Sequence, residues 1–311
     1  MRITSIGEIL IDMTQTEIDK TGVVHFAANP GGAPANVAVA AAKLGADSAF
    51  IGCVGNDSFG AILSSTLSRF GVNTDGLQVT DRASTTLAIV RVDEKGERSF
   101  SFCRNPGADT RIDREKACAA AAETDILHFG SVSLTDPDCR ETIYAAINAA
   151  KENGAVVTYD PNYRAPLWKS EKEAIAEMRK ALPLCDIVKI SDEECEMLTG
   201  HSEPDDAVKA LCGSGVRLAL VTLGAGGAIW RCGEESGFAP GFPVKVADTN
   251  GAGDTFFGAF LTKFAGIGGF FALSRAKLDE FVCFANRAAS VTVSRPGAIP
   301  AMPTKQELEA L

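Results

Sequence analysis

Residues 155–190 read AVVTYDPNYRAPLWKSEKEAIAEMRKALPLCDIVKI, and the class of the fold can be predicted from this run. The short apolar segments at residues 155–159 and 186–190 are typical of buried strands, and the longer segment at residues 171–182 between them is typical of an amphipathic helix. Strands that alternate with helices in this way form a parallel sheet covered by helices. The run therefore predicts an α/β fold.

The same alternation is found along most of the chain from about residue 34 onward. Further strands are predicted at residues 2–7, 48–54, 125–129 and 218–222. Further helices are predicted at residues 35–44, 59–70, 138–153 and 205–212. Most of the strands are apolar throughout, as strands covered on both faces are. We therefore expect a mainly parallel sheet between layers of helices.

One region breaks this alternation. Residues 85–92, a turn at residues 94–96 and residues 97–103 predict a β-hairpin with no helix between its strands, and residues 23–28 predict another lone strand. Such strands predict a small β-sheet lid, formed by segments at about residues 10–30 and 84–105 within a single domain of residues 1–311. The alternative is an antiparallel edge to the core sheet. An uncovered lid sheet also favours a homodimer that pairs through it.

The charge of the chain limits its partners. Its formal net charge is −10, and it has no run of Lys or Arg that could follow a nucleic acid backbone. We therefore expect no nucleic acid partner. An acidic protein that binds a phosphate must hold it with backbone N–H groups and helix N-termini, which are features of glycine-rich turns.

The cysteines and the N-terminus indicate a compartment. Nine cysteines are scattered from Cys53 to Cys283 without the spacing of a zinc site, and we interpret them as reduced and mostly buried. The chain opens on an alternating strand rather than a signal peptide, and it has no apolar run of membrane-spanning length. A cytoplasmic protein with no membrane partner is expected.

The most informative motif is DTNGAGD at residues 248–254, which is followed by an apolar helical run at residues 255–264. Residues 251–253 leave the first N–H groups of this helix bare, and these groups with the helix dipole form an anion site. Asp254 is suited to stay ionised there because the dipole favours its charge, so it can accept a proton from a hydroxyl that attacks a phosphoryl group. The alternative is that Asn250 caps the helix and Asp254 only complements its dipole.

A second motif, GGAPAN at residues 31–36, precedes the helical run at residues 37–44. Paired glycines allow a ligand to approach the backbone closely. Asn36 can hydrogen-bond a polyol through both its amide oxygen and its NH₂ group. The alternative is a glycine turn with proline in the first helical turn, which is common.

The two motifs together resemble the signatures of the ribokinase-like (pfkB) carbohydrate kinase family, with residues 31–55 similar to the N-terminal signature and residues 248–261 similar to the C-terminal one. The resemblance implies a three-layer αβα sandwich with a β-sheet lid, and phosphoryl transfer from ATP with Mg²⁺ to a sugar hydroxyl. The segments at residues 29–32, 103–109 and 160–168 look most like fructokinases, which implies conversion of fructose to fructose 6-phosphate. A 2-keto-3-deoxygluconate kinase and a ribokinase or nucleoside-like kinase remain alternatives.

The resemblance also implies which residues contact the sugar. These are Asp12, Gly31, Gly32, Asn36, Arg104, Asn162 and Asp254. Asp12 matches a carboxylate that binds sugar hydroxyls, although a carboxylate after a strand is also a common turn residue. Arg104 matches a lid arginine that reaches into the sugar site, although it also fits a solvated edge charge. Arg164 matches an arginine between sugar and phosphates that stabilises transferred charge. The implied catalytic residues are Asp254, Gly251, Ala252, Gly253 and Arg164.

The resemblance places the nucleotide near a further set of residues. These are Lys189, Ser191, Thr222, Gly224, Gly226, Gly227, Asn250, Gly253, Asn286 and Ser290. Ser191 stands where the family usually has Asn, and with Glu194 it also spells a capping box, so Glu194 is expected to bind Mg²⁺ only through water. Asn286 and Ser290 are equally explained as polar positions on a helix. Asp248 resembles part of a monovalent-cation site, which implies K⁺.

Other function classes fit the sequence less well. No G-x-G-x-x-G follows a predicted strand, which argues against a Rossmann oxidoreductase, and no glycine–lysine pair is followed by Ser or Thr, which argues against a Walker-type NTPase. The three histidines form no metal or catalytic constellation. A non-catalytic sugar or nucleotide sensor is the remaining alternative of another class, and the intact Asp254 motif argues against it.

Overall fold

The computed structural model of the chain describes residues 1–92 and 98–311, so the predicted turn at residues 94–96 lies outside the described residues. The strands in this part are β1 (Ile3–Ile6), β2 (Leu10–Ile18), β3 (Val24–Gly31), β4 (Ser48–Gly55), β5 (Leu77–Thr80), β6 (Leu87–Val92), β7 (Arg98–Cys103), β8 (Ile126–Gly130), β9 (Val156–Asp160), β10 (Ile187–Ser191), β11 (Leu218–Thr222), β12 (Gly227–Cys232) and β13 (Glu235–Pro240). The α-helices are α1 (Ala33–Lys43), α2 (Ser58–Arg69), α3 (Arg114–Ala121), α4 (Pro137–Glu152), α5 (Glu171–Ala181), α6 (Cys195–Thr199), α7 (Pro204–Gly213), α8 (Ala252–Gly266), α9 (Arg275–Val293) and α10 (Lys305–Glu309).

The main sheet has the strand order β13-β12-β11-β10-β9-β8-β1-β4-β5. Its paired strands run parallel except at β12, which is antiparallel to both β11 and β13. The six core strands predicted from the sequence are all present, each within one residue of its predicted ends. Since α/β proteins bind ligands at the carboxyl ends of such strands, the ends of β9, β10 and β11 mark the edge where a site is expected.

Helices cover both faces of the main sheet, which explains why its strands are apolar throughout. In β11, Leu218 and Leu220 pack in one core with α1, α8 and α9, while Ala219 and Val221 pack in a second core with α3, α4, α5 and α7. All four side chains are fully buried. A leucine buried in this way contributes about 1.5–3 kcal/mol relative to an exposed one. The predicted three-layer αβα arrangement is confirmed.

A second, smaller sheet has the strand order β3-β2-β6-β7. Strand β2 is antiparallel to β3 and parallel to β6, and β6 is antiparallel to β7. None of these strands pairs with the main sheet in the described residues, so the prediction of a separate small sheet is confirmed and the core-edge alternative is wrong. Its outer end exposes Ile18, Val23 and Val24, which are 60%, 54% and 42% exposed.

Some elements were not predicted because their patterns are weak. Strand β5 has four residues at the edge of the sheet, and the hairpin of β12 and β13 mixes polar, glycine and apolar positions. Helix α3 reads REKACAAA and is too rich in alanine to show a clear apolar face. No helix in residues 1–92 and 98–311 is long and apolar enough to cross a membrane.

Helix α8 is buried on most of its surface because it packs between the main sheet, α1 and α9. Phe257, Phe260 and Phe264 of α8 are fully buried. A Cβ atom at Gly258 would lie 2.7 Å from Ala40 Cβ and 2.9 Å from the Val37 carbonyl oxygen, so only glycine allows α1 to pack this closely. This contact aligns the two helices, and their N-termini meet at the site described below.

We predict that Gly258→Ala lowers the free energy of unfolding by about 1–3 kcal/mol, because the added methyl group overpacks the contact between α1 and α8. Gly266→Ala is the matched control, since a Cβ at Gly266 in the same helix meets no atom within 4 Å. Urea or thermal unfolding of both variants measures the difference. Equal stability of the two variants would contradict the close packing described here.

Candidate active site

The DTNGAGD motif forms the start of α8, as predicted. Gly251 is the N-cap residue with a φ of 74°, and it has no side chain with which to cap the helix. The alternative in which Asn250 caps α8 is therefore wrong. Gly251 is needed here both for its left-handed backbone and because a Cβ would lie 2.9 Å from Ala298 Cβ. The helix thus begins without a capping side chain, as an anion-binding helix start requires.

Asp254 lies in the first turn of α8 and is 8% exposed. Its Oδ2 accepts a hydrogen bond of 2.8 Å from Asn36 Nδ2 in the first turn of α1. Burial raises the pKa of Asp254 to about 6 and Asp160 adds to the rise, whereas Asn36, Lys189 and Arg164 act in the opposite direction. Burial thus outweighs the helix dipole, which favours the charged form of Asp254. With a pKa of about 6, Asp254 is still mostly ionised at neutral pH.

A cavity of about 260 Å³ opens in front of Asp254. Polar residues on its wall are Glu8, Asp12, Asn36, Asn162, Arg164, Asn250 and Asp254. The small sheet supplies an apolar wall through Ala88, Val90 and Phe102, so this sheet covers the cavity. Carboxylates and amides that converge on one pocket are suited to the many hydroxyl groups of a sugar. The predicted sugar residues, apart from Arg104, therefore come together at this cavity or next to it.

Asp12 projects from β2 toward the same cavity. Burial raises its pKa to about 6, while the charge of Arg164 lowers it and Asp254 and Asp248 raise it further. Gly31 makes room for this carboxylate, since a Cβ there would lie 2.3 Å from Asp12 Oδ2. The sequence predicted that this glycine pair lets a ligand approach the backbone closely. In the structure Gly31 also makes room for a side chain of the protein itself, that of Asp12.

Gly32 has a related steric role at the start of α1. Its φ is 106°, and a Cβ would lie 2.6 Å from the Glu8 carbonyl oxygen and 2.9 Å from Ile9 Cα. The backbone between β1 and β2 can therefore pack directly against the start of α1. This packing brings Glu8 and Asn36 to the same cavity.

Glu8 was not singled out by the sequence analysis. It is 2% exposed, its Oε1 accepts a hydrogen bond from Ala33 N at 3.2 Å, and its Oε2 accepts one from Ser133 Oγ at 3.2 Å. Burial raises the pKa of Glu8 to about 7, against the lowering effect of a hydrogen bond from its own backbone. Its place directly after β1, at the carboxyl edge of the sheet, is the signal that would have found it.

Arg104 does not line the cavity, in contrast to the expectation for a lid arginine. Its Nε donates to Asp109 Oδ2 at 2.8 Å, and its Nη1 donates to Thr135 Oγ1 at 2.7 Å. Asp109 is 1% exposed, and a buried carboxylate requires such a partner. Arg104 instead faces a neighbouring cavity on the far side of Phe102, which borders both. The guanidinium is therefore held away from the first cavity in this structure.

A second cavity of about 150 Å³ adjoins the first at Asn162 and Arg164, which line both. Its other charged or polar residues are Asp160, Lys189, Ser191, Glu193 and Glu194. Asn162 has a φ of 48°, a left-handed conformation that asparagine tolerates. Arg164 thus lies between the two cavities.

Glu194 closes the capping box that the sequence predicted. Its Oε2 accepts hydrogen bonds from Ser191 N at 2.9 Å and Ser191 Oγ at 3.1 Å, and its Oε1 accepts one from Tyr163 N at 2.8 Å. In the described part of the chain no group of three His, Cys, Asp or Glu residues can hold a metal. The single carboxylate of Glu194 nevertheless fits Mg²⁺, because this ion usually keeps several waters and takes one or two carboxylates plus phosphates.

The predicted nucleotide residues continue this edge of the sheet. Ser191 lies opposite Thr222 in the register of β10 and β11, and Gly224 to Gly226 form the turn into β12. Gly227 then pairs with Pro240, whose carbonyl oxygen accepts a hydrogen bond from Asn286 Nδ2 at 3.2 Å. These residues therefore form a connected strip that begins at the second cavity, which Lys189 and Ser191 line.

The last three predicted residues are Ser290, Asp248 and Asn250. Ser290 Oγ donates to the Arg287 carbonyl oxygen at 2.7 Å, as a polar helix position does. Asp248 accepts hydrogen bonds from Asn250 N at 3.0 Å and Gly297 N at 3.1 Å, so it holds the DTNGAGD turn to the Gly297 loop. Asn250 also borders the first cavity.

Comparisons with known proteins agree with this geometry. Residues 1–305 match the model of the pfkB family carbohydrate kinases. The chain is 42% identical over 316 aligned residues to the probable fructokinase-5 of Arabidopsis thaliana, which covers 99% of this chain and 96% of that one.

Solved structures extend the comparison. The fructokinase of Xylella fastidiosa with bound ATP is 36% identical and superposes with a TM-score of 0.91, over 99% of this chain and 97% of that one. The fructokinase of Vibrio cholerae O395 in its fructose, ADP and calcium ion bound form is 34% identical with a TM-score of 0.89, over 99% and 98%. The chain therefore belongs to the pfkB family of carbohydrate kinases.

Proposed function

We propose that this protein is an ATP-dependent fructokinase that converts fructose to fructose 6-phosphate. The observation that carries the proposal is the position of Asp254, buried between an uncapped helix start and a polar cavity and held by Asn36. The relatives support the choice of sugar, because they are fructokinases that match nearly the whole chain.

In the proposed reaction a hydroxymethyl oxygen of fructose forms a bond to the γ-phosphorus of ATP while its proton passes to a carboxylate oxygen of Asp254. The bond from the γ-phosphorus to the oxygen that bridges to the β-phosphate breaks, and ADP leaves. Asn36 orients the carboxylate through the 2.8 Å hydrogen bond. The N–H groups of residues 251–253 bind the transferring phosphoryl group, and Arg164 stabilises its charge.

In the proposal, residues that line or adjoin the first cavity make the remaining contacts with the sugar. Asp12, Asn36 and Asn162 bind hydroxyl groups, and Gly31 and Gly32 allow the backbone to pack beside them. Arg104 joins them only if its ion pair with Asp109 rearranges when the sugar binds.

Two cations belong to the proposal. Mg²⁺ bound through water by Glu194 would screen the charge of the phosphates. K⁺ would be held near Asp248, whose carboxylate links the DTNGAGD turn to the Gly297 loop. ATP itself would lie along the strip from Lys189 and Ser191 to Asn286 and Ser290.

The architecture supports three further parts of the proposal. Residues 1–311 act as one kinase domain in which the small sheet is a lid that excludes water from the transfer. The exposed apolar residues Ile18, Val23 and Val24 of the lid favour a homodimer that covers them. The nine cysteines, all at described positions, form no disulfide, which is consistent with a reducing, cytoplasmic location.

Activity with a panel of sugars tests the proposed function. We expect the purified protein with ATP and Mg²⁺ to release ADP, with the highest kcat/KM for fructose among fructose, ribose, 2-keto-3-deoxygluconate and a nucleoside. A higher kcat/KM for another member of the panel would transfer the assignment to that sugar. A protein that binds the sugar but releases no ADP would be a sensor.

We predict that Asp254→Asn lowers kcat by about 10²–10⁴, because the variant has no base to accept the hydroxyl proton. Fructose binding, measured by calorimetry, should stay close to that of the unmodified protein. Asp138→Asn is the matched control, since Asp138 occupies the first turn of α4 and is exposed to solvent. Near-normal turnover in Asp254→Asn would remove Asp254 from this role.

We also predict that kcat/KM for fructose falls as the pH decreases through about 6, since protonation of Asp254 removes the base. With a pKa of about 6, the value at pH 5 should be about tenfold below its plateau above pH 7. Asp12 has a pKa of about 6 as well, so its protonation steepens the fall. A flat profile from pH 8 to pH 5, at saturating ATP, would contradict the assignment.

A further inference from the structure

A buried ion pair lies against the turn at residues 251–253, which starts α8 and is called the catalytic turn below. Asp160 is the last residue of β9, and Lys189 lies beside it on the neighbouring strand β10. Lys189 Nζ is 2.8 Å from Asp160 Oδ2, and the two side chains are 7% and 2% exposed. The desolvation of two buried charges offsets most of their attraction, so such a pair is weak evidence for a purely stabilising role.

The ammonium group of Lys189 touches the start of α8. A Cβ at Gly253 would lie 2.9 Å from Lys189 Nζ, so the ammonium lies against this point of the turn and a side chain there would have to displace it. Gly253 directly precedes Asp254 and belongs to the turn that binds the phosphoryl group in the proposed reaction. Lys189 therefore places a positive charge next to both the base and the transferred group.

The other oxygen of Asp160 points to a ligand-facing role for the pair. Asp160 Oδ1 is buried and has no hydrogen-bond partner in the described part of the chain, although buried polar atoms are usually paired. Asp160 and Lys189 both line the second cavity with Asn162, Arg164 and Glu194. An unpaired buried oxygen at the wall of a cavity is available to a water or a ligand, so the pair faces the second cavity as well as the start of α8.

The charges around Asp254 come from several elements. They are Asp12 on β2, Asp160 on β9, Arg164 after β9 and Lys189 on β10, with the neutral Asn36 on α1. Asp160 raises the pKa of Asp254, and Lys189 and Arg164 lower it. Burial acts to lower the pKa of Lys189, but Asp160, Glu194 and Asp254 raise it above its ordinary value, so Lys189 keeps its proton.

We propose that Asp160 is a positioning residue: it holds the Lys189 ammonium against the first turn of α8, where that charge stabilises the transferring phosphoryl group and the ionised form of Asp254. The proposal rests on the proposed function. It assigns a role to Asp160, which acts on the transferring phosphoryl group through Lys189 and whose own charge also raises the pKa of Asp254.

Three variants test this: Lys189→Met, Asp160→Asn and the double variant. Lys189→Met should lower kcat by about 10²–10³, the usual effect of removing one charge-stabilising donor, with KM for fructose little changed. Its kcat/KM should also fall at a higher pH than in the unmodified protein, since Asp254 loses a neighbouring cation. Asp160→Asn should lower kcat as well, but its profile should move to lower pH, since Asp254 loses a neighbouring anion.

The double variant separates positioning from folding. It contains no buried charge at either position. If Asp160 acts on the phosphoryl group only through Lys189, the kcat of the double variant should equal that of Lys189→Met at a pH well above the pKa of Asp254 in both variants. A double variant that is clearly slower than Lys189→Met would overturn the proposal. This comparison remains decisive even if Asp160→Asn alone does not fold.

A remote ion pair is the control for a purely structural effect. Arg140 Nη1 is 3.0 Å from Glu177 Oε2, and the side chains are 15% and 11% exposed, so Glu177→Gln should lower the melting temperature without changing kcat. The same behaviour in Asp160→Asn would show that the Asp160–Lys189 pair is only structural. An unmodified protein that does not phosphorylate fructose would instead overturn the proposed function, so the two failures are distinguishable.

Discussion

The hydrogen bond from Asn36 to Asp254 joins two helix starts that are 218 residues apart in the sequence. It forms because α1 and α8 pack side by side at Gly258, where a side chain would collide with Ala40. The two N-termini therefore face the same cavity, one with an amide and the other with a carboxylate and an uncapped turn. The other polar groups of the first cavity are arranged around this contact.

The electrostatics of the site are dominated by burial. Glu8, Asp12 and Asp254 all have raised pKa values, and in each case burial is the largest cause. An acidic protein that collects carboxylates in this way must attract a polyphosphate by other means. The uncapped start of α8 and the charges of Lys189 and Arg164 supply them. The net charge of −10 is thus compatible with a local anion site.

The sequence predicted the core of the fold well because strands buried on both faces and amphipathic helices leave strong patterns. It also predicted that the two glycine motifs form helix starts, because a helix start with exposed N–H groups needs small residues. It did not predict Glu8. The place of Glu8 after β1 could have made it a candidate, but its burial depends on contacts with Ala33 and Ser133 that only the folded chain shows. The ion pair of Arg104 with the buried Asp109 could not be predicted either, because it depends on a contact that only the folded chain shows.

The cavity lies at the joint between the two sheets, and this position has a mechanical consequence. Asp12 is carried by β2 of the small sheet, whereas Asp254 is carried by α8 against the main sheet. The segments that connect the sheets at this point contain Glu8 on one side and Gly32 on the other, and these segments pack directly against each other. Any movement of the small sheet therefore changes the distance between Asp12 and Asp254. A ligand that contacts both carboxylates would favour one position of the small sheet relative to the main sheet, so that its binding and the relative position of the two sheets would be coupled.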